Sequence, residues 1–112
     1  MKSLATGGVK AKLSLREPAW NKTEAAFARE LGCRPSIVWW AYEPLKLRLA
    51  DKCFYSPDFA VLFKDGSFHI YEVKGFWRDD ARVKIKTAAR LFPMFSFHAV
   101  TRIKNGWKQE DF

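Results

Sequence analysis

The strongest constraint on this chain is a pair of apolar runs, Phe59–Phe63 and Phe68–Val73, separated only by Lys64-Asp65-Gly66-Ser67. Two β-prone runs joined by a short glycine-bearing turn predict a hairpin. Its register can be argued from the flanking charges. Pro57-Asp58 opens the first run and Glu72-Val73-Lys74 closes the second. A register with Asp58 opposite Glu72 also sets Ala60 opposite Ile70, Leu62 opposite Phe68 and Phe63 opposite Ser67. The loop is then Lys64-Asp65-Gly66, a type I turn with glycine at the left-handed bulge position. A shorter Asp65-Gly66 turn shifts the pairing by one residue and puts the two acids on opposite faces. Both faces of the hairpin are largely apolar, which predicts a central pair covered on both sides.

The flanking segments predict a mixed sheet with helices against it. Asn21 caps a first helix, Glu24 stands at the reciprocal position of a capping box, and Gly32 ends it. Phe27, Ala28 and Leu31 form its apolar face, which Glu24 shares. Ile37–Tyr42 is a β-branched and aromatic run, and Leu45–Leu49 alternates as a strand with one wet face. Asp79 or Asp80 caps a second helix reaching about Phe92, with Ala81, Ile85, Ala88 and Phe92 inward. Met94–Val100 returns as a strand, and Asn105-Gly106 turns before Trp107. The order of helix, strands, helix and strand gives an α/β class of α+β type built on a mixed sheet. Residues 1–19 read as a basic arm carrying Lys10 and Lys12, with a short strand near Val9–Leu15, and residues 20–112 read as one domain.

Composition narrows the partners. In 112 residues, 20 Lys and Arg face 12 Asp and Glu, a net charge of +8. That excess favours polyanions, with nucleic acid first. Aromatic residues at 16% argue against disorder, and no apolar run reaches membrane-spanning length. The first residues lack an apolar stretch fit for a signal peptide, and Cys33 and Cys53 match no metal or redox spacing. The expectation is a cytoplasmic protein with reduced thiols and no membrane partner.

The hairpin carries the chemistry. Alternation puts Glu72 and Lys74 on one face, with Asp58 across from them. Two carboxylates suit a hard divalent cation such as Mg²⁺, with Mn²⁺ as a substitute, and leave positions for water and phosphate. A cation held there activates water and neutralises charge on the reacting phosphate. Lys74, a compact charge, steers the water or the scissile phosphate. Arg82, Lys86 and Arg90 form one stripe of the second helix, with few acids to balance it. It is either a solvated face or a phosphate contact. Arg78 and Lys84 are further candidates for DNA contact. His69 and His98 fall within strand patterns and read as core or edge residues.

Pro57-Asp58 followed by Glu72-Val73-Lys74 resembles the signature of the PD-(D/E)XK nuclease superfamily. Phe54-Tyr55-Ser56-Pro57-Asp58-Phe59 and Glu72-Val73-Lys74-Gly75-Phe76-Trp77-Arg78-Asp79-Asp80 are similar to the core of the phage endonuclease I family, the Holliday-junction resolvases of T-odd phages. The likeness covers about Asn21 to Val100. It implies a restriction-endonuclease-like core and a Mg²⁺-dependent endonuclease acting on branched DNA. It further implies metal ligands at Asp58 and Glu72 and at the Val73 carbonyl, a catalytic Lys74, and a helix-borne acid at Glu24. Glu24 is then either a metal-site acid or only the completing member of the capping box. Incising both strands of a junction takes two active sites, which implies a homodimer. Rival readings are a restriction-type nuclease, a transposon-end nuclease working with a partner protein, and a DNA-binding module without catalysis.

Overall fold

The computed structural model describes residues 18–112. Residues 1–17 of the expected basic arm, with Lys10, Lys12 and the strand near Val9–Leu15, lie outside the described residues. Among the described residues two helices, α1 (Lys22–Gly32) and α2 (Asp79–Leu91), accompany seven strands: β1 (Ile37–Tyr42), β2 (Leu47–Ala50), β3 (Cys53–Tyr55), β4 (Phe59–Phe63), β5 (Phe68–Val73), β6 (Phe95–Ile103) and β7 (Gly106–Asp111). Five strands form one mixed sheet in the order β1-β4-β5-β6-β7, while β2 and β3 form a separate two-stranded sheet. β5 and β6 run parallel and the other pairs are antiparallel. A parallel pair needs a long crossover, and α2 supplies it.

The β4–β5 hairpin has the register its turn demands. Ala60 pairs with Ile70 and Leu62 with Phe68. Gly66 adopts φ +89°, and its N–H donates to the Phe63 carbonyl at 2.9 Å. The Phe63 N–H in turn donates to the Ser67 carbonyl at 3.0 Å. Asp65 Oδ1 braces the loop by accepting from the Ser67 N–H at 2.8 Å. A side chain at Gly66 would force a strained left-handed backbone.

α1 covers one face of the sheet, where Phe27, Ala28 and Leu31 meet Phe59, Val61, Tyr71 and Val100. α2 covers the other, setting Ile85 and Ala88 against Ala60, Ile70 and Phe97. Successive residues of β4 therefore enter different cores, and Phe59, Ala60 and Val61 are all wholly buried. On the α1 side a hydrogen-bonded chain ties the parallel pair to the last strand. His69 Nδ1 lies 2.7 Å from His98 Nε2, and His98 Nδ1 lies 2.7 Å from Asp111 Oδ1.

Three local expectations differ from the structure. The N-cap of α2 is Arg78, with no side-chain cap bond, and both Asp79 and Asp80 lie inside the first turn. The helix begins one residue earlier than a capping aspartate would place it. The strand expected over Leu45–Leu49 runs instead over Leu47–Ala50, as β2 of the small sheet. Its partner β3 is too short to show a period of two, and β7 extends Asn105-Gly106 into a full edge strand. Among the described residues no helix is long and apolar enough to cross a membrane.

Candidate active site

Asp58 precedes β4 where the hairpin ladder stops, just beyond the Phe59–Tyr71 pair. Its side chain continues the ladder in place of a backbone carbonyl: Oδ2 accepts the Val73 N–H at 2.8 Å. That bond ties the carboxylate to the segment carrying Glu72 and Lys74. Glu72 is fixed from two sides. The Tyr55 hydroxyl donates to its Oε1 at 2.8 Å, and Lys74 Nζ lies 3.5 Å from its Oε2. Lys74 also sits 5.5 Å above the centre of the Trp77 ring.

The electrostatics are those of an anionic pair short of positive charge. Burial and the neighbouring Glu72 carboxylate raise Asp58 from the ordinary carboxylate range to about 8, against the lowering effect of the Val73 N–H. Burial raises Glu72 as well, while Tyr55 and Lys74 hold it down. Tyr55, buried against this carboxylate, is pushed well above an ordinary phenol. Desolvated like charges resist joint ionisation, and a cation between them removes that resistance.

Glu24 approaches from the start of α1. It completes the capping box: the Asn21 N–H donates to Glu24 Oε1 at 3.0 Å, and the Glu24 N–H donates to Asn21 Oδ1 at 2.8 Å. The Tyr42 hydroxyl also donates to Oε1, at 3.0 Å. The charge of Glu24 contributes to the upward shift of Asp58, which places the two in one electrostatic neighbourhood. Among the described residues, however, no three His, Cys, Asp or Glu side chains stand close enough to make a metal-binding cluster. The structure thus brings Asp58, Glu72 and Lys74 together and leaves Glu24 at the margin, engaged through one oxygen in the cap.

The basic stripe of α2 needs correction, because it is not short of acids. Arg82 reaches β7 and forms a two-pronged ion pair with Glu110, its Nη1 lying 3.2 Å from Oε1 and its Nη2 contacting Oε2. Its guanidinium also lies over Trp77 at 4.9 Å and Phe112 at 5.4 Å. Lys86 and Arg90 share an open depression of about 570 Å³ with Arg82, Ala89, Glu110, Asp111 and Phe112. Lys84, the separate candidate on α2, donates from its Nζ to the Phe54 carbonyl at 3.0 Å. Arg78 is exposed at the N-cap.

Tyr55, Tyr42 and Glu110 escaped the sequence reading. Tyr55 and Tyr42 reach their acids from β3 and β1, across the tertiary structure, so no spacing advertises them. Comparison with known proteins adds no relative: no family profile matches the chain, and neither curated proteins nor solved structures give a match.

Proposed function

We propose that the protein is a divalent-metal-dependent DNA endonuclease of the PD-(D/E)XK type, acting on branched DNA as a homodimer. One observation carries this reading. The Asp58 side chain bonds the backbone of the strand end that presents Glu72 and Lys74, so two carboxylates and an ammonium face one small region. A purely structural ion pair has no need of the second buried carboxylate, which is costly without a counter-charge. The net charge of +8 supports a polyanionic substrate, and DNA in turn implies action in the cytoplasm.

The donor set fits Mg²⁺ or Mn²⁺: Asp58 and Glu72 supply hard oxygens, the Val73 carbonyl is a further candidate, and remaining positions fall to water and phosphate. When bound, the cation makes water a stronger nucleophile and offsets charge gathering on the phosphate. The chain's own residues do the rest. The Val73 N–H aims Asp58, and the Tyr55 hydroxyl and Lys74 fix the two oxygens of Glu72. Lys74, 3.5 Å from Glu72, would meet the scissile phosphate or orient the attacking water. Glu24 adds negative charge from α1 at longer range.

Digestion of four-way-junction, flap, linear duplex and single-stranded DNA, side by side with Mg²⁺, Mn²⁺ or Ca²⁺, tests the proposal. Junction cleavage with Mg²⁺ or Mn²⁺, binding without turnover in Ca²⁺, and no cleavage by Asp58→Asn are expected. A parent protein that cuts none of these substrates with any metal sinks it.

A further inference from the structure

The small β2–β3 sheet has a wet face that the acid site does not use. Tyr55 turns inward to Glu72, so its neighbour Phe54 turns outward, and the two differ sharply in exposure: 40% for Phe54 and 7% for Tyr55. Arg48 is the cross-strand partner of Phe54 and shares its face. Lys46 Nζ lies 4.8 Å from the centre of the Phe54 ring, and Lys84 reaches over from α2 to the Phe54 carbonyl at 3.0 Å. Lys46 and Arg48 therefore share the face of one exposed aromatic ring, and Lys84 holds the backbone of the same residue from α2. The acid in contact with this group is Asp51, 3.6 Å from Arg48, in a pair so exposed that water screens most of it.

We propose that this face is a platform for an unpaired nucleic-acid strand, with Phe54 as the surface on which a base stacks and Lys46, Arg48 and Lys84 as phosphate contacts. It deepens the nuclease reading and rests on it for the class of substrate. A lone exposed phenylalanine is ordinary on a protein surface. A ring with Lys46 over it, Arg48 beside it and Lys84 at its own backbone has the combination that single strands select, a π-face for the base and positive charge for the backbone. Duplex DNA does not use it, because paired bases keep their faces inside the stack and show only edges. Lys46 does not block the ring. An exposed ammonium–ring contact is weaker than base stacking, so an arriving base displaces it toward the adjoining phosphate. Lys84 spends one of its three donors on the Phe54 carbonyl and keeps the others for oxygen ligands. The platform is one residue along β3 from the acid site, on the opposite face of the strand, since Tyr55 hydrogen-bonds Glu72. An unpaired strand beside a duplex arm is what a flap or fork offers among branched substrates.

The test is fluorescence anisotropy in EDTA, with labelled oligo-dT and a duplex of equal length, on the parent, Phe54→Ala, Phe54→Trp and Lys46→Gln. Thermal melts run alongside as the folding control. Phe54→Ala should weaken oligo-dT binding about tenfold or more and change duplex binding less than about twofold. Phe54→Trp should retain oligo-dT affinity, with quenching of tryptophan emission on binding that exceeds the quenching seen in the parent, whose five tryptophans set the baseline. Lys46→Gln should lower the salt slope for oligo-dT by roughly 0.7 unit. The proposal is overturned if a folded Phe54→Ala binds oligo-dT like the parent, or loses duplex and oligo-dT equally. If Phe54→Ala does not fold, quenching in Phe54→Trp no greater than in the parent overturns it instead. Poly-glutamate that displaces oligo-dT as well as unlabelled oligo-dT does also overturns it, since the face would then take any polyanion. Because the assay contains no metal, its result is independent of cleavage. Junction cutting with unchanged Phe54→Ala binding sinks the platform alone; a working platform without metal-dependent cutting sinks the nuclease reading alone.

Discussion

Asp58 is held by two opposing influences. The Val73 N–H favours its carboxylate form, while burial and Glu72 disfavour it, and the second influence prevails, lifting the group to about 8. A carboxyl group raised on folding binds more protons in the native than in the unfolded state between those two values. Its contribution to stability is complete below the ordinary carboxylate range and is lost as pH rises toward 8. Asp58→Asn keeps an oxygen for the Val73 N–H and removes the charge. Without metal, that variant should melt higher than the parent at pH 8.5, by ~1 kcal/mol or more, and the gap should close toward pH 5. A variant melting lower at both pH values shows that the carboxylate is not the strained group. Tyr55→Phe tests the other acid. It preserves the ring in its core and deletes the donor to Glu72, which raises Glu72 further. The expected cost is about 1–3 kcal/mol of stability, because the bond is to a charged acceptor. Cleavage should fall about tenfold near neutrality and recover partly at higher pH, where Glu72 ionises without the phenol. An unshifted pH–rate profile would reduce Tyr55 to a packing residue.

Elements differ in how openly their sequences declare them. The β4–β5 hairpin is legible because Gly66 marks the turn and the apolar run lengths leave one register that puts Asp58 and Glu72 together. The β2–β3 hairpin is not, since its turn is Asp51-Lys52, and Lys52 holds φ +57° without glycine. α1 announces itself through the Asn21–Glu24 capping box, whereas α2 begins at Arg78 with no side-chain cap. β7 is an edge strand whose last residues, Lys108 to Asp111, carry no apolar alternation, and Glu110 reaches Arg82 from there. The legible part of the site is thus the part carried by one hairpin, and Tyr55, Tyr42 and Glu110 stayed hidden because other elements bring them. This changes what the α2 stripe is expected to do. Neutralising Lys86 or Arg90 should lower the slope of log affinity against log salt for DNA by about one unit each. Arg82→Gln should lower it less, because Glu110 already shares that charge. Glu110→Gln should raise affinity at low salt by releasing the guanidinium. Equal slopes for the three cations and no effect of Glu110→Gln would mean that the depression does not meet DNA.

Across the whole molecule, the two apolar cores clamp opposite faces of one sheet and leave the acids at the end where β4 begins and β5 stops. A rigid frame is what an anionic site needs, because separation of Asp58 and Glu72 would relieve their repulsion and dissolve the site. The frame therefore carries a strain, and on the proposed nuclease reading a bound cation would remove it, linking metal binding to global stability. A cation that binds only the folded chain adds roughly 2.7 kcal/mol at a hundred times its dissociation constant. Mg²⁺ should accordingly raise the melting temperature by several degrees at pH 8, where protons compete least, and far less at pH 5, where the carboxyls hold their protons. Ca²⁺ should stabilise without cleavage, and Glu72→Gln should abolish both the gain and the cutting. Glu24 is the member this measurement resolves, because it stands in both accounts. Glutamine also serves at the third position of a capping box, so Glu24→Gln retains the bond to the Asn21 N–H and can still accept from Tyr42. Its metal-free melting point should stay within ~0.5 kcal/mol of the parent or rise, since one charge leaves the neighbourhood of Asp58. Its gain from Mg²⁺ should shrink and its cutting slow at least tenfold. If instead the Mg²⁺ gain and the cutting rate both match the parent, Glu24 is a helix cap alone, and the metal rests on Asp58, Glu72 and the backbone between β5 and Lys74.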